Sequence, residues 1–600
     1  MKLIKYIVCL LLCASLTGCF DLNKLPEGVL STATAFSSSA EIEKYLNQFY
    51  ESGVRSQSQY VGSTAGIAFG DLNSDNMIGN VIDTRLAGEL SLSNAQKLTN
   101  YKKIRDLNFL INNLENCKDR GVAYEQCVGE AYYFRAWYYY QMFVNYGPLS
   151  IVTEVLDPTQ EDTQLKRDKR PAVADFILAD LDLAILNLSE QPTNNSMRVH
   201  QDIAYALKSE VALFEGTWEK YHKAKGDAFY DQDITDAQIV GYLTQAADAA
   251  KKVIDKGVWS IAMGDPSTAY RDLFITLDLS NNQEVMWWKK YDINDNIGHS
   301  VTRYLNKGGG ITGASLSLVD DYLMLDGRPF VGTDRDEAQV VYGQELQPTL
   351  RDPRLAQTVC LPGQPLRPNG AYVFTLPPLD GNSYHQNTTG FSILKYVEFN
   401  TKFEETIDGE GKSQAPAIQF RYADILLNYA EALAELDGAA NASKIADVLL
   451  PLRNRVGMPA VDFDREYNTA SDYPFNGLDK YIQAVRRERR VEKALEGRRL
   501  NDICRWAAAD VLIKGQTPKG ALFIGSNLSQ GFTGLVYDQA TGNNLYLSGN
   551  PGDAKRYVVP FNNGSYATGW QFNLGRDYLL PIQPRMLSLT NGLWDQNPEW

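Results

Sequence analysis

The sequence predicts an all-α protein made of tetratricopeptide-like helical pairs, with long irregular loop insertions and minor β structure. Three observations carry that reading. Apolar residues recur at helical spacing through several long stretches. Those stretches come as consecutive pairs, with small residues where two helices would cross. The segments between them are rich in Gly, Asn, Asp and Pro, as connecting loops are.

The N-terminus reads as a targeting segment. Lys2 and Lys5 precede an apolar run containing Ile7, Val8, Leu10, Leu11 and Leu12, and Leu16-Thr17-Gly18-Cys19 follows. A hydrophobe, two small residues and a cysteine form a bacterial lipobox, so residues 1–18 are expected to be a lipoprotein signal peptide and Cys19 the lipid attachment site. The alternative is a plain secretory signal with an incidental cysteine. The apolar run is well short of the roughly 20 residues a membrane span needs. Loss of Lys2 and Lys5 would take the formal net charge from −15 to −17. So acidic a chain repels phosphate backbones, which argues against a nucleic-acid partner.

Helical stripes then follow in order. Tyr101, Ile104, Leu107, Leu110 and Leu114 mark one helix, and residues 128–146 a second that ends at Gly147-Pro148. Ile203, Leu207, Val211, Phe214 and Trp218 pair with a stripe over 243–254 across a polar loop of about 20 residues. The pairing recurs in Tyr422, Leu426, Tyr429 and Leu433, followed by Ile445, Leu449, Leu452 and Val456. Such pairs stack into solenoids, although no strict repeat consensus is present and an ordinary helical bundle would read similarly. The expected organisation after the signal is a single domain over 19–600. It has a helical part to about 280, a loop-rich insertion over about 281–415, and a second helical part from about 416.

Cys117, Cys127, Cys360 and Cys504 remain beyond Cys19. Cys117 and Cys127 flank a short loop-like stretch, where a disulfide between two helix ends is plausible in an exported protein. Cys504 reads as a buried thiol. The four histidines are scattered, so no zinc site is expected. Catalytic signatures for metalloproteases, serine hydrolases and phosphate-binding loops are missing. Arg486-Arg-Glu-Arg-Arg490, with Glu492 and Glu496 close behind, reads as a salt-bridged helix face with Arg489–Glu492 and Glu496–Arg499 pairs at i, i+3.

The irregular regions supply the candidate ligand residues, because loops on a rigid scaffold carry binding groups. Asp71-Leu-Asn73-Ser-Asp75 begins like a calcium loop, but Asn76 and Ile82 stand where that loop needs Gly and Glu. A polar loop that hydrogen-bonds a ligand, or its own backbone, is the better reading. Glu284–Tyr291 reads as a short strand that would point Trp287 and Trp288 to opposite sides, one to the core and one to a ligand, or both inward. The candidates are Asp71, Asn73, Asp75, Trp288, Tyr291, Asp292 and Tyr304, with no metal and no cofactor expected.

Several separated motifs together resemble the SusD/RagB family of Bacteroidetes outer-membrane nutrient-binding lipoproteins. They are the lipobox, Gly129–Tyr140 with Tyr146-Gly-Pro148, Leu213–Trp218, Leu318–Tyr322 with Asp326-Gly327, and Arg351–Leu355. Phe420–Leu433, Leu452–Arg455, Arg486–Trp506, Tyr578–Ile582 and Gln596–Trp600 continue the series to the end of the chain. The resemblance implies a lipid-anchored outer-membrane protein facing the exterior. It would capture oligosaccharide for a SusC-like TonB-dependent porin and would not be an enzyme. A peptide-binding member of the same class is the alternative, and a surface glycoside hydrolase a more distant one. Only Asp21 closely follows Cys19, a sparser acidic flank than surface-export signals often carry.

Overall fold

The computed structural model describes residues 35–60, 64–156, 165–190, 197–367, 372–381, 383–398, 409–537, 545–560 and 569–600. The expected signal segment and Cys19 lie outside them. Helices dominate, and strands are few and short. Among the described residues no helix is long and apolar enough to cross a membrane.

Helix α1 (Ser39–Gly53) starts where the Ser38 hydroxyl accepts from the Glu41 amide. It packs with α2 (Asn100–Ile111) against α3 (Val122–Tyr146). Helix α3 is apolar nearly all round, and so it is buried nearly all round, with Tyr133, Phe134, Trp137, Tyr138 and Tyr139 inside. It stops at Gly147, whose φ of +70° suits a residue without a Cβ. It also starts six residues earlier than its apolar stripe suggested, so Cys127 lies inside the helix rather than at its end. The expected Cys117–Cys127 disulfide is corrected accordingly: both thiols are free. Cys117 donates to the Asp119 carboxylate at 3.1 Å, and Cys127 to the Ser39 carbonyl at 3.7 Å.

Helix α4 (Arg170–Asn187) pairs with α3, and α5 (Gln201–Lys225) pairs with α6 (Asp236–Lys256). The loop between α5 and α6 is shorter than expected. Helix α5 continues past the last residue of its expected stripe, Trp218, into a final turn with Lys223 and Lys225, which suits the negative end of the helix. Gly226 then ends it in the left-handed region, and Thr235 and Gln238 form a capping box that starts α6. On the C-terminal side α7 (Tyr422–Asp437) pairs with α8 (Ala442–Arg455). Helix α7 also packs on α6 and on α9 (Lys480–Glu492), which locks the early and late helices into one apolar core.

The minor β structure consists of small antiparallel pairings. β1 (Met77–Gly79) pairs with β3 (Thr312–Ala314), and β2 (Val285–Lys289) with β4 (Ala417–Arg421). β5 (Leu522–Ile524), β7 (Arg556–Val559) and β6 (Tyr546–Leu547) form a three-stranded sheet in that order. A second apolar core gathers the loop-rich residues around β1–β4. Strand β2 joins the two cores: Trp287 belongs to the helical one and Trp288 to the loop-rich one, and both are buried.

The Arg486–Arg490 run is salt-bridged as expected, but it faces the interior. All five residues are buried, and their partners are distant in sequence. Arg486 pairs with Glu435, Arg487 with Glu466, Arg489 with Asp502, and Arg490 with Asp75 and Asp321. Glu492 takes Arg455 and Arg421 at 2.6 Å and Arg354 at 2.9 Å. Burial alone would raise its pKa, but these three guanidinium groups outweigh it and hold the carboxyl well below the usual range. The apolar stems and paired heads of these arginines fill the space where loops meet helices.

Candidate functional site

The aspartates of the first loop fasten the fold. Asp71 lies in a short turn over Gly70–Asn73 and is fully buried. Its Oδ2 accepts from the Leu495 amide at 2.9 Å and from Asn76 Nδ2 at 3.0 Å. Asp75 is also buried; Arg499 donates to it at 2.7 and 2.9 Å, and Arg490 lies 2.9 Å away. Burial disfavours its charge, yet the two arginines hold it below the ordinary carboxylate range. The contact is close enough that a Cβ on Gly70 would stand 2.6 Å from the Gly497 Cα, so glycine is required there. Asn73 is half-buried in the same turn. Among the described residues no cluster of His, Cys, Asp or Glu could hold a metal ion.

The second set of candidates comes together around the segment 285–304. Trp288, Tyr291 and Tyr304 share the loop-rich core. The Tyr291 hydroxyl accepts from the Gln57 amide at 2.7 Å, and its ring meets His299 edge-on at 4.6 Å. Asp292 is half-buried, and its carboxylate accepts from the Asn294 amide to cap a short turn. Trp288, Tyr291 and Asp292 therefore shape the loop from within. Tyr304 is buried too, but its hydroxyl meets the exposed side chain of Glu410. It donates to Glu410 at 2.9 Å, and burial together with that carboxylate pushes its pKa up to about 12, so it stays a neutral donor.

A surface cluster extends outward from Tyr304. Its ring meets Tyr384 edge-on with centroids 5.3 Å apart, and Tyr384 lies 4.1 Å from His385. Arg303 sits over the Tyr384 ring at 5.3 Å and pairs with Glu410 at 3.7 Å. Ser300 donates to the same carboxylate at 3.1 Å. The strip 57–60 is tied alongside by the bond from the Ser300 amide to the Ser58 carbonyl, and it ends in Tyr60, which is 72% exposed. The cluster thus presents aromatic rings, a carboxylate and a guanidinium together. Such groups stack on the apolar faces of flat or ring-shaped ligands and hydrogen-bond their hydroxyls. Sequence reasoning missed Arg303, Tyr384, His385 and Glu410. The only local signal was the Tyr384-His385 dipeptide in a loop-rich region, and the partners that touch the Tyr384 ring, Arg303 and Tyr304, lie far upstream in the sequence.

Comparison with known proteins agrees with this architecture. The family model described as "SusD family" matches residues 273–600, and one described as "Starch-binding associating with outer membrane" matches residues 22–213. No curated protein matches at a significant level. Among solved structures, a SusD-like protein from Bacteroides fragilis superposes with a TM-score of 0.67 at 20% identity, covering 94% of this chain and 98% of its own. A SusD-like carbohydrate-binding protein from the same organism gives 0.66 at 21%, covering 93% and 99%. A laminarin-binding SusD-like protein gives 0.54 at 19%, covering 94% and 100%. At those identities the superpositions speak for the fold, while the family model spans more than half of the sequence, and the chain belongs to the SusD family.

Proposed function

We propose that this protein is a cell-surface lipoprotein that captures oligosaccharide on the Tyr304–Tyr384 face and passes it to a SusC-like TonB-dependent transporter. Cys19 would be the lipid anchor in the outer membrane, and the chain would bind without turning its ligand over. The observation that carries the reading is the surface cluster itself, in which the Tyr384 ring, Glu410 and Arg303 stand together on the loop-rich side. Membership in a family with a starch-binding description, and the likeness to a laminarin-binding protein, support a glycan as the ligand class. The earlier candidates Trp288, Tyr291, Asp292, Asp71, Asn73 and Asp75 support this face or the fold beneath it, and Tyr304 contributes its hydroxyl.

Calorimetric titration with a panel of soluble glycans and of peptides tests the reading. Saturable binding of at least one oligosaccharide that Tyr384→Ala weakens about tenfold, a loss near 1.4 kcal/mol, is expected. Binding confined to the peptides would replace the glycan with the peptide ligand class. Membrane fractionation of a Cys19→Ser variant tests the anchor, and its retention in the outer membrane would refute lipid attachment at that residue.

A further inference from the structure

Glu410 is the most exposed charged group of the Tyr304–Tyr384 cluster. It keeps 60% of its side chain open to solvent, against 23% for Arg303. Its carboxylate is nonetheless held in place. Oε1 and Oε2 accept from the Tyr304 hydroxyl at 2.9 and 3.2 Å, and Oε2 accepts from the Ser300 hydroxyl at 3.1 Å. Ser300 Oγ itself accepts from the Gly411 amide at 2.9 Å, which leaves the hydroxyl proton for Glu410. The backbone alongside is pinned by the reciprocal amide–carbonyl bonds between His299 and Ser413, at 2.9 and 2.8 Å. A Cβ on Gly298 would collide with the Gly411 carbonyl oxygen, so the two segments lie directly on each other.

Position and exposure together decide what a ligand meets. Among the described residues Arg303 is the one cation within ion-pair reach of Glu410, with its Nε 3.7 Å from Oε1. The guanidinium is engaged within the cluster: it lies over the Tyr384 ring at 5.3 Å, and Nη2 stands 3.4 Å from that residue's hydroxyl. An ion pair this long and this close to solvent gains little. A carboxylate has about four lone-pair sites and only accepts. The open part of Glu410 can therefore take hydroxyl donors from a ligand. A ligand carboxylate at the same place brings a like charge and no donor.

We infer that Glu410 is the specificity-determining residue of this face, admitting neutral glycans whose hydroxyls donate to it and turning away acidic ones such as uronates. The inference rests on capture at this face and adds the charge class of the ligand. A tenfold preference, about 1.4 kcal/mol, is within what one like-charge contact near a protein surface supplies.

Calorimetric titration of matched pairs tests it, using oligosaccharides of glucose, galactose and mannose, each beside the same oligosaccharide with its primary hydroxyls oxidised to carboxylates. In a pair that binds, the neutral member should bind about tenfold tighter. That ratio should shrink in roughly 1 M salt, where charges are screened beyond about 3 Å. Glu410→Gln keeps the shape and removes the charge, and should narrow the ratio to about threefold or less. Glu410→Lys should reverse it. An acidic member that binds as tightly as its neutral partner, or a ratio that both variants leave unchanged, would overturn the inference. Neutral binding that Tyr384→Ala weakens, with the ratio unmoved by the Glu410 variants, keeps capture on this face and removes only the charge filter. Absence of binding by every pair removes the glycan reading and the filter with it.

Discussion

Arg499 grips Asp75 through two hydrogen bonds, Nε to Oδ1 at 2.7 Å and Nη2 to Oδ2 at 2.9 Å, across 424 positions of sequence. The planar fork matches the carboxylate, and Arg490 meets the same carboxylate. Together they pin the first loop onto α9 and the segment after it, with all three charges buried.

Breaking this clamp should therefore cost stability rather than ligand affinity. Asp75→Ala leaves two buried guanidinium groups short of a partner, a change of about 3–5 kcal/mol. Urea unfolding should show the loss as a lower midpoint at unchanged slope. A midpoint within experimental error of the parent would mean that the clamp adds nothing to the fold.

Trp288 makes a contrasting pair with Tyr384. Trp288 is buried in the loop-rich core, so Trp288→Ala should destabilise by about 3–5 kcal/mol through the cavity it leaves. Tyr384 is half-buried at the surface, and its replacement by alanine should leave the melting temperature within a few degrees. Thermal unfolding of the two variants side by side distinguishes them; equal melting temperatures would contradict these placements.

His299 ties stability to pH. It is fully buried, its Nε2 faces the Ala415 carbonyl at 2.9 Å, and burial lowers its pKa to about 3. The unfolded value is about 6.5, so its contribution is complete above that pH and is lost as pH falls. Between pH 7 and 5 that loss is roughly 2 kcal/mol. Glu345, pushed up to about 8 chiefly by burial, acts in the opposite direction, so the comparison must be with a variant. His299→Gln should lose about 2 kcal/mol less than the parent on going from pH 7 to 5, read from urea midpoints. An identical pH dependence would rule out a neutral buried His299.

The thiols give a direct chemical check. Cys117, Cys127, Cys360 and Cys504 are free and buried, and burial pushes Cys127 up to about 12 and Cys504 to about 11. Alkylation in denaturant without reductant should add to all four, and the native protein should react slowly. Two missing adducts, at Cys117 and Cys127, would establish the disulfide that the structure lacks.

Much of the fold was legible because helices announce themselves locally. The stripes at 203–218, 243–254 and 422–433 fall within α5, α6 and α7, the stripe at 445–456 falls in α8 up to its cap at Val456, and Gly147 ends α3 where expected. The boundaries that slipped are those where a helix runs on beyond its regular apolar stripe, through the first turns from Val122 in α3 and the mostly polar last turns to Lys225 in α5. The site was less legible. Trp288 and Asp75 are residue types that bind ligands, but both are buried and packed inside the protein, while Tyr384 and Arg303 stand half-buried at the surface.

The sequence by itself determined the helical pairs, the loop-rich segments, the family likeness and the lipobox expectation, because each is written in short-range spacing or in ordered motifs. Only the tertiary structure decided that the Arg486–Arg490 run is interior and that Asp75 belongs to Arg499. It also decided which rings reach the surface. Charge pairing and burial depend on what the rest of the chain brings alongside, and partners such as Asp75 and Arg499 meet only once the helices have packed.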